Sequence, residues 1–263
     1  MYAFNCFFNI FAVSECGKSE ISFAEEQKKW SPAIEWYERV EPGEYFLAAR
    51  LRAAQATGKQ KGLDEARAYI KRIPVADDRQ QAQLIVAEAQ LLRDADRSDE
   101  ALAFLAQALG KQPDQPDLLY DYALTAEKLQ RYDAVEAKLR KLIELEPNHA
   151  HAYNALGYSL ADRNERLPEA RALIEKALEL APDDPFIVDS MGWVLFRLGK
   201  NAQALEYLRK AYKARPDAEI AAHLGEVLWV AGERQEAEKI WLEAAKKTPG
   251  NDALNSTIKR FKP

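Results

Sequence analysis

The stretch PFIVDSMGWVLFRLGKNAQALEYLRKAYKARPD, residues 185–217, decides the fold, because its landmarks recur on both sides of it. Met191-Gly192 matches Leu156-Gly157 and Leu224-Gly225. The alanine pair Ala204/Ala211 matches Ala170/Ala177 and Ala237/Ala244, and Pro216 matches Pro182 and Pro249. Equivalent positions lie 33 to 35 residues apart. A repeat of that length belongs to stacked two-helix units, each contacting only its neighbours, rather than to a closed globular core. Stacked helical hairpins present a long continuous surface, so the expectation is binding rather than chemistry.

Each column has a physical reason. The glycine falls midway along the first helix of a unit, where it costs up to about 1 kcal/mol against alanine, so closer helix packing must offset it. Alanines seven residues apart lie two turns along one helix face and give the second helix a flat seam. The proline stops that helix, since it lacks an N–H and clashes with the preceding turn. Asp183-Asp184 and Asn148 follow two of the prolines as polar turn residues able to start the next helix.

Toward the N-terminus the register persists in weaker form. Pro147 closes a unit from about Pro116, with Ala123 in the glycine column and Val135 and Leu142 in the alanine columns. Pro113 closes another from about Ala82, with Ala89, Ala101 and Ala108 in place. The stretch from Glu44 to Ile73, with Ala66, reads as a hairpin with a longer inner turn over Gly58-Lys59-Gln60-Lys61-Gly62. Trp30 to Val40, with Ala33, reads as a second helix whose own first helix fits only from Ile21. The sum is six whole units, half of a seventh, and a final helix from about Asn251 to Phe261. One unit carries an extra residue in its inner turn, around Asp162-Arg163-Asn164-Glu165-Arg166-Leu167-Pro168, which predicts a locally remodelled turn.

These columns resemble the tetratricopeptide repeat family from Ile21 to Pro249, and Met191-Gly192, Leu195, Gly199, Ala204, Leu208, Ala211 and Pro216 all fall where the family pattern wants them. The resemblance implies an all-α, right-handed superhelical solenoid of antiparallel helix pairs. Residues 1–20 then stand outside the repeats, residues 21–249 form the solenoid, and residues 250–263 form a capping helix and tail.

Composition agrees with an ordered repeat protein: 48% hydrophobic, 30% charged with both signs mixed, net charge −5. No basic stripe stands out, which argues against nucleic acid as a partner. Residues Tyr2 to Val13 are nearly all apolar but lack a preceding Lys or Arg, and the run falls short of the roughly 20 residues that span a bilayer. Neither Cys6 nor Cys16 follows the small residues of a lipid-attachment site. Residues 1–20 are accordingly read as foreign or misread sequence on a truncated array, against a hydrophobic cap or anchor. The repeats contain no cysteine, so they hold no disulfide framework.

Signs of catalysis are few. His149 and His151 sit at a unit junction with no ligand cluster around them, and His223 adjoins the Leu224-Gly225 pair as a packing or groove residue. No phosphate loop, HExxH, CxxC or Gly-x-Ser-x-Gly occurs, so no enzyme activity, cofactor or metal is expected.

The family resemblance places the first helix of each unit on the concave face, with inward positions near the second, fifth, ninth, twelfth and thirteenth residues of a unit. Those positions include Tyr120 in one unit, His151, Asn154 and Tyr158 in the next, then Phe186, Asp189, Trp193, Phe196 and Arg197, and finally Glu226 and Trp229. Tyr158, Trp193, Phe196 and Trp229 are read as exposed rings forming a groove for an extended or helical segment of another protein, with Phe196 and Trp229 the ones partly packed. The competing reading makes these rings inter-helix core. The lysine and asparagine clamp with which related co-chaperones hold a C-terminal carboxylate is absent: its positions carry Val86, Tyr120, Asn154, Asp189 and Ala222, then Gln90, Leu124, Tyr158, Trp193 and Glu226.

A narrower resemblance covers Asn154 to Arg163, Asp189 to Gly199 and Pro216 to Trp229, which look like the closing repeats of proteobacterial envelope proteins. Among those relatives are outer-membrane lipoproteins that present cell-wall hydrolases to a periplasmic carboxyl-terminal processing protease. The resemblance implies a non-enzymatic envelope adaptor, periplasmic or associated with the outer membrane, whose partner is that protease or its client. The alternative is a self-associating structural array without a client groove, or a cytoplasmic setting.

Overall fold

A computed structural model describes residue 25 and residues 27–261 of the chain. The expectations for residues 1–20 lie outside them. Among the described residues there are α-helices and no strand. Helix α1 (Trp30–Glu38) precedes the pairs α2/α3 (Phe46–Lys61, Leu63–Ile70), α4/α5 (Asp78–Asp94, Ser98–Lys111) and α6/α7 (Pro116–Lys128, Tyr132–Leu145). The pairs α8/α9 (Ala150–Asp162, Leu167–Leu180), α10/α11 (Pro185–Arg197, Asn201–Ala214) and α12/α13 (Ala218–Val230, Arg234–Lys247) follow, and α14 (Asp252–Phe261) is last. Among the described residues, six pairs, the single helix α1 and a final helix match the repeat content expected from Trp30 onward, and the helix expected from Ile21 falls largely outside them. The chain divides into two compact units between Lys138 and Leu139.

The glycine column holds the second unit's helix pairs together. A Cβ on Gly157 would lie 2.6 Å from Ile174 and 2.9 Å from the Ala170 carbonyl oxygen, and one on Gly192 would lie 2.6 Å from Leu208. At Gly225 it would meet the Trp241 indole at 2.0 Å. The partner helix therefore rests directly on the glycine backbone. Ala170, Ala177, Ala204, Ala211, Ala237 and Ala244 are all buried in the seams this creates.

Successive pairs are not stacked evenly. In the second unit α8 touches α10 and α10 touches α12, whereas the second helices α9, α11 and α13 make no such approach to one another. First helices drawn together with second helices splayed apart make the first-helix row the concave side of that unit. The first unit repeats the pattern on its own, α2 against α4 and α4 against α6. There Arg93 of α4 bonds both carboxylate oxygens of Asp121 on α6, at 2.7 and 2.9 Å, and the Thr125 hydroxyl at 2.6 Å.

Five of the six turns within pairs share one construction. Asp96, Gln130, Asn164, Gly199 and Gly232 all have positive φ, from 56° to 91°. The next residue's N–H reaches back five residues, as in Arg97 to Leu92 and Lys200 to Leu195, which is the Schellman closure of a helix end. The turn with the extra residue keeps this closure at Asn164 and absorbs the insertion by placing Arg166 (φ 42°) in the left-handed region before α9. At the other junctions Asp184 and Asp217 accept from the first free N–H groups of α10 and α12.

Two expectations change. The turn in the 44–73 hairpin is Gly62 alone, because α2 runs on through Lys61. Lys59, Gln60 and Lys61 are good helix formers, and Gly58 lies inside the helix, where a Cβ would come within 3.3 Å of Ala66 Cβ. At the start of α8 the cap is His149, not Asn148: its Nδ1 accepts from the Ala152 N–H at 3.0 Å.

Helix α14 lies against α12 and α13. Leu254 is fully buried there, and the Phe261 ring stacks on Trp241 at 5.9 Å.

Gly225→Ala should destabilise the protein by about 1–3 kcal/mol through overpacking against Trp241. Gly110→Ala, on a helical position with nothing within 4 Å, should stabilise it by about 0.5–1 kcal/mol. Urea midpoints of the two variants against the parent protein check both signs.

Candidate functional site

The first-helix row of the second unit brings several of the expected residues into one cluster, and it buries the ones expected to be most exposed. Trp193 is only 4% exposed and Asp189 1%. Glu226 is buried as well. Reading Trp193 as an exposed groove ring is therefore corrected: its indole is core, packed beneath Phe196 at 5.4 Å and against the His223 ring at 4.3 Å. Tyr158, Phe196, Asn154 and Arg197 are half-buried, and so is Trp229, which stacks on Trp241 at 5.7 Å. The partial packing expected of Phe196 and Trp229 is what the helices show.

His223, expected as a packing or groove residue, is packed, and it is also a polar link between helices. Its Nδ1 lies 2.8 Å from Asp189 Oδ2 and its Nε2 lies 3.3 Å from the Tyr158 hydroxyl. One imidazole on α12 therefore bridges α10 and α8, and it also stacks on Trp193. Burial works against a charge on His223, but the Asp189 carboxylate outweighs it and raises the imidazole above its usual value, with Asp162 and Glu219 adding to the effect. Burial lifts the Asp189 carboxyl too, with His223 opposing. Glu226 is pushed up by burial and pulled back by Arg260, His223 and Arg197, and Arg260 of α14 bonds it directly. Asp189 and His223, like Glu226 and Arg260, are opposite partners 34 residues apart. That one-repeat spacing is the signal that would have revealed both pairs.

Four polar atoms in this row are buried without a hydrogen-bond partner: Asn154 Oδ1, Asp189 Oδ1, Trp193 Nε1 and Arg197 Nε. A buried acceptor or donor left unmade costs about 1–3 kcal/mol, so a first-helix row with two acceptors and two donors in this state is under an energetic load that packing elsewhere must cover.

The remaining expected residues fall apart from the cluster. Phe186 packs against the small cluster of Val188, Ala211 and Ile220, under the Arg215 guanidinium at 4.8 Å. His151 sits at the start of α8, 3.9 Å from Asp184. Tyr120 is half-buried on α6 in the other compact unit. Among the described residues no group of three or more His, Cys, Asp or Glu side chains could hold a metal ion, and no helix is long and apolar enough to cross a membrane.

Because Trp193 is core, Trp193→Ala should cost about 3–5 kcal/mol of stability, read as a large drop in urea midpoint. The His223 link also gives a pH dependence. A histidine whose folded value is raised contributes stability that is fully present below its unfolded value and is lost as pH rises through the folded value. In Asp189→Asn the burial of His223 is uncompensated and the sign reverses. The stability gap between the parent protein and Asp189→Asn should therefore be widest near pH 6 and narrow toward pH 9. A gap that is constant or widens over that range contradicts the link.

Comparison with known proteins agrees with this architecture. The tetratricopeptide repeat model matches residues 86–134, 136–185 and 190–252. The chain is 44% identical over 238 residues to the TPR repeat-containing protein PA4667 of Pseudomonas aeruginosa, covering 90% of this chain and 40% of that protein. It thus spans well under half of that relative's length. A tetratricopeptide repeat protein from Parabacteroides merdae superposes with a TM-score of 0.67 at 17% identity, over 95% of this chain and 98% of that one. The thermophilic TPR protein TTC0263 of Thermus thermophilus does so with 0.61 at 23% identity, over 68% and 98%. These structures share the fold. With its glycine, alanine and proline columns each in their structural place, the chain belongs to the tetratricopeptide repeat family.

Proposed function

We propose that this chain is a non-enzymatic scaffold that holds a segment of a partner protein on the concave row α8, α10 and α12. Tetratricopeptide repeat proteins generally act as protein-interaction scaffolds, and here one observation carries the location. The glycine, alanine and leucine columns already fill the seams between helices, yet Tyr158, Phe196 and Trp229 keep part of their rings accessible on the first-helix row. Large amphipathic rings on a rigid concave surface are the side chains that carry binding energy at protein interfaces. Trp193 and His223 serve as the packed floor beneath them.

The envelope role follows from the resemblance of Asp189 to Gly199 and Pro216 to Trp229 to closing repeats of envelope adaptors. On that reading the partner is a periplasmic processing protease or a client it degrades.

A photo-crosslinking residue placed at Phe196 should give a discrete adduct with a partner, and one placed at the exposed Leu242 of α13 should not. Tyr158→Ala with Phe196→Ala should weaken partner binding at least about tenfold while leaving the fold intact. Equal adducts from both positions, or unchanged binding by the folded double variant, would sink the location. An adduct with a protein other than a protease or its client would remove the envelope adaptor role.

A further inference from the structure

The charges on the second unit are sorted by row. The first helices α8, α10 and α12 carry four carboxylates, Asp162, Asp189, Glu219 and Glu226, against a single guanidinium, Arg197. The second helices α9, α11 and α13 lean the other way, with nine Lys and Arg against seven Glu. In the first unit the corresponding first helices α2, α4 and α6 carry seven bases and six acids. The acidic bias belongs to the concave row of the second unit alone.

Two of the four carboxylates are unspent. Glu226 is bonded by Arg260 and Asp189 by His223. Asp162 is exposed and Glu219 half-buried, and among the described residues neither is ion-paired; both favour the charged form of His223. Beside them the fully buried Asp189 keeps one oxygen without a donor, and Asn154 on the neighbouring helix does the same. These acceptors and negative charges share the first-helix row with the half-buried ring of Tyr158, whose hydroxyl meets His223. Aromatic faces attract cations as carboxylates do.

We infer that the segment held on this row is basic: an extended stretch of a partner protein whose lysine or arginine side chains meet Asp162 and Glu219 over the Tyr158 and Phe196 rings. This rests on the scaffold reading above and names the partner's chemistry. Three first helices at roughly 8–10 Å spacing span about 20 Å between outer axes. An extended chain rising about 3.3 Å per residue crosses that distance in roughly six to eight residues.

The test uses the full chain and three labelled eight-residue peptides that alternate serine with lysine, with asparagine or with glutamate, read by fluorescence anisotropy. The lysine peptide should bind about tenfold more tightly than the asparagine peptide, lose that margin as salt is raised, and exceed the glutamate peptide further. Asp162→Lys with Glu219→Lys, both outside the core, should invert the order. A glutamate peptide that binds as well as the lysine peptide overturns the proposal, as does an unchanged order in the double variant. If asparagine or glutamate peptides bind in preference and Tyr158→Ala with Phe196→Ala abolishes their binding, the basic preference is wrong and the concave site stands. If no peptide binds, both fall.

Discussion

The structure depends on a contact that has no side chain on one of its sides. At Gly157, Gly192 and Gly225 the backbone of a first helix lies against Ile174, Leu208 and Trp241 of its partner, closer than any Cβ would allow. That approach brings the alanines of the second helix into the seam and fixes how near the two helices of a pair can come. The three pairs of the second unit repeat this approach, and there the first helices of neighbouring pairs also meet while the second helices splay. The concave row, and everything it displays, is a consequence of this packing rather than of any residue on the row itself.

Polar ties reinforce the stacking. Asp189 to His223 joins α10 to α12, Glu226 to Arg260 joins α12 to the final helix α14, and in the first unit Arg93 to Asp121 joins α4 to α6. Buried ion pairs add little net stability against apolar residues of similar shape, but removing one partner leaves an uncompensated charge and is costly. Their value here is alignment: a helix that slid by one turn along its neighbour would strand a carboxylate. His223 extends this from two helices to three through the Tyr158 hydroxyl.

Much of this was legible before any coordinates. The helix count, the pair boundaries and the glycine, alanine and proline columns follow from local sequence, because each column is a constraint within one repeat. What the repeat could not show is what crosses from one repeat to the next. Trp193 occupies an inward position by register, yet it is buried because His223, one repeat later, stacks on it. Asp189 and Glu226 are buried for the same reason. The turn at Gly62 was misjudged because glycine signals a break on average, whereas Gly58 serves helix contact with Ala66. The cap at His149 was missed because a histidine ring nitrogen can do what Asn or Asp usually does at that place.

The central claim is that the concave row of the second unit, acidic and ringed with aromatic side chains, is where a partner segment lies. Hydrogen exchange of the full chain with and without a saturating lysine-rich peptide measures this directly. The account predicts slowed exchange concentrated in α8, α10 and α12, with the second helices α9, α11 and α13 unchanged. Protection concentrated on the second helices, or none on the first-helix row, would contradict it.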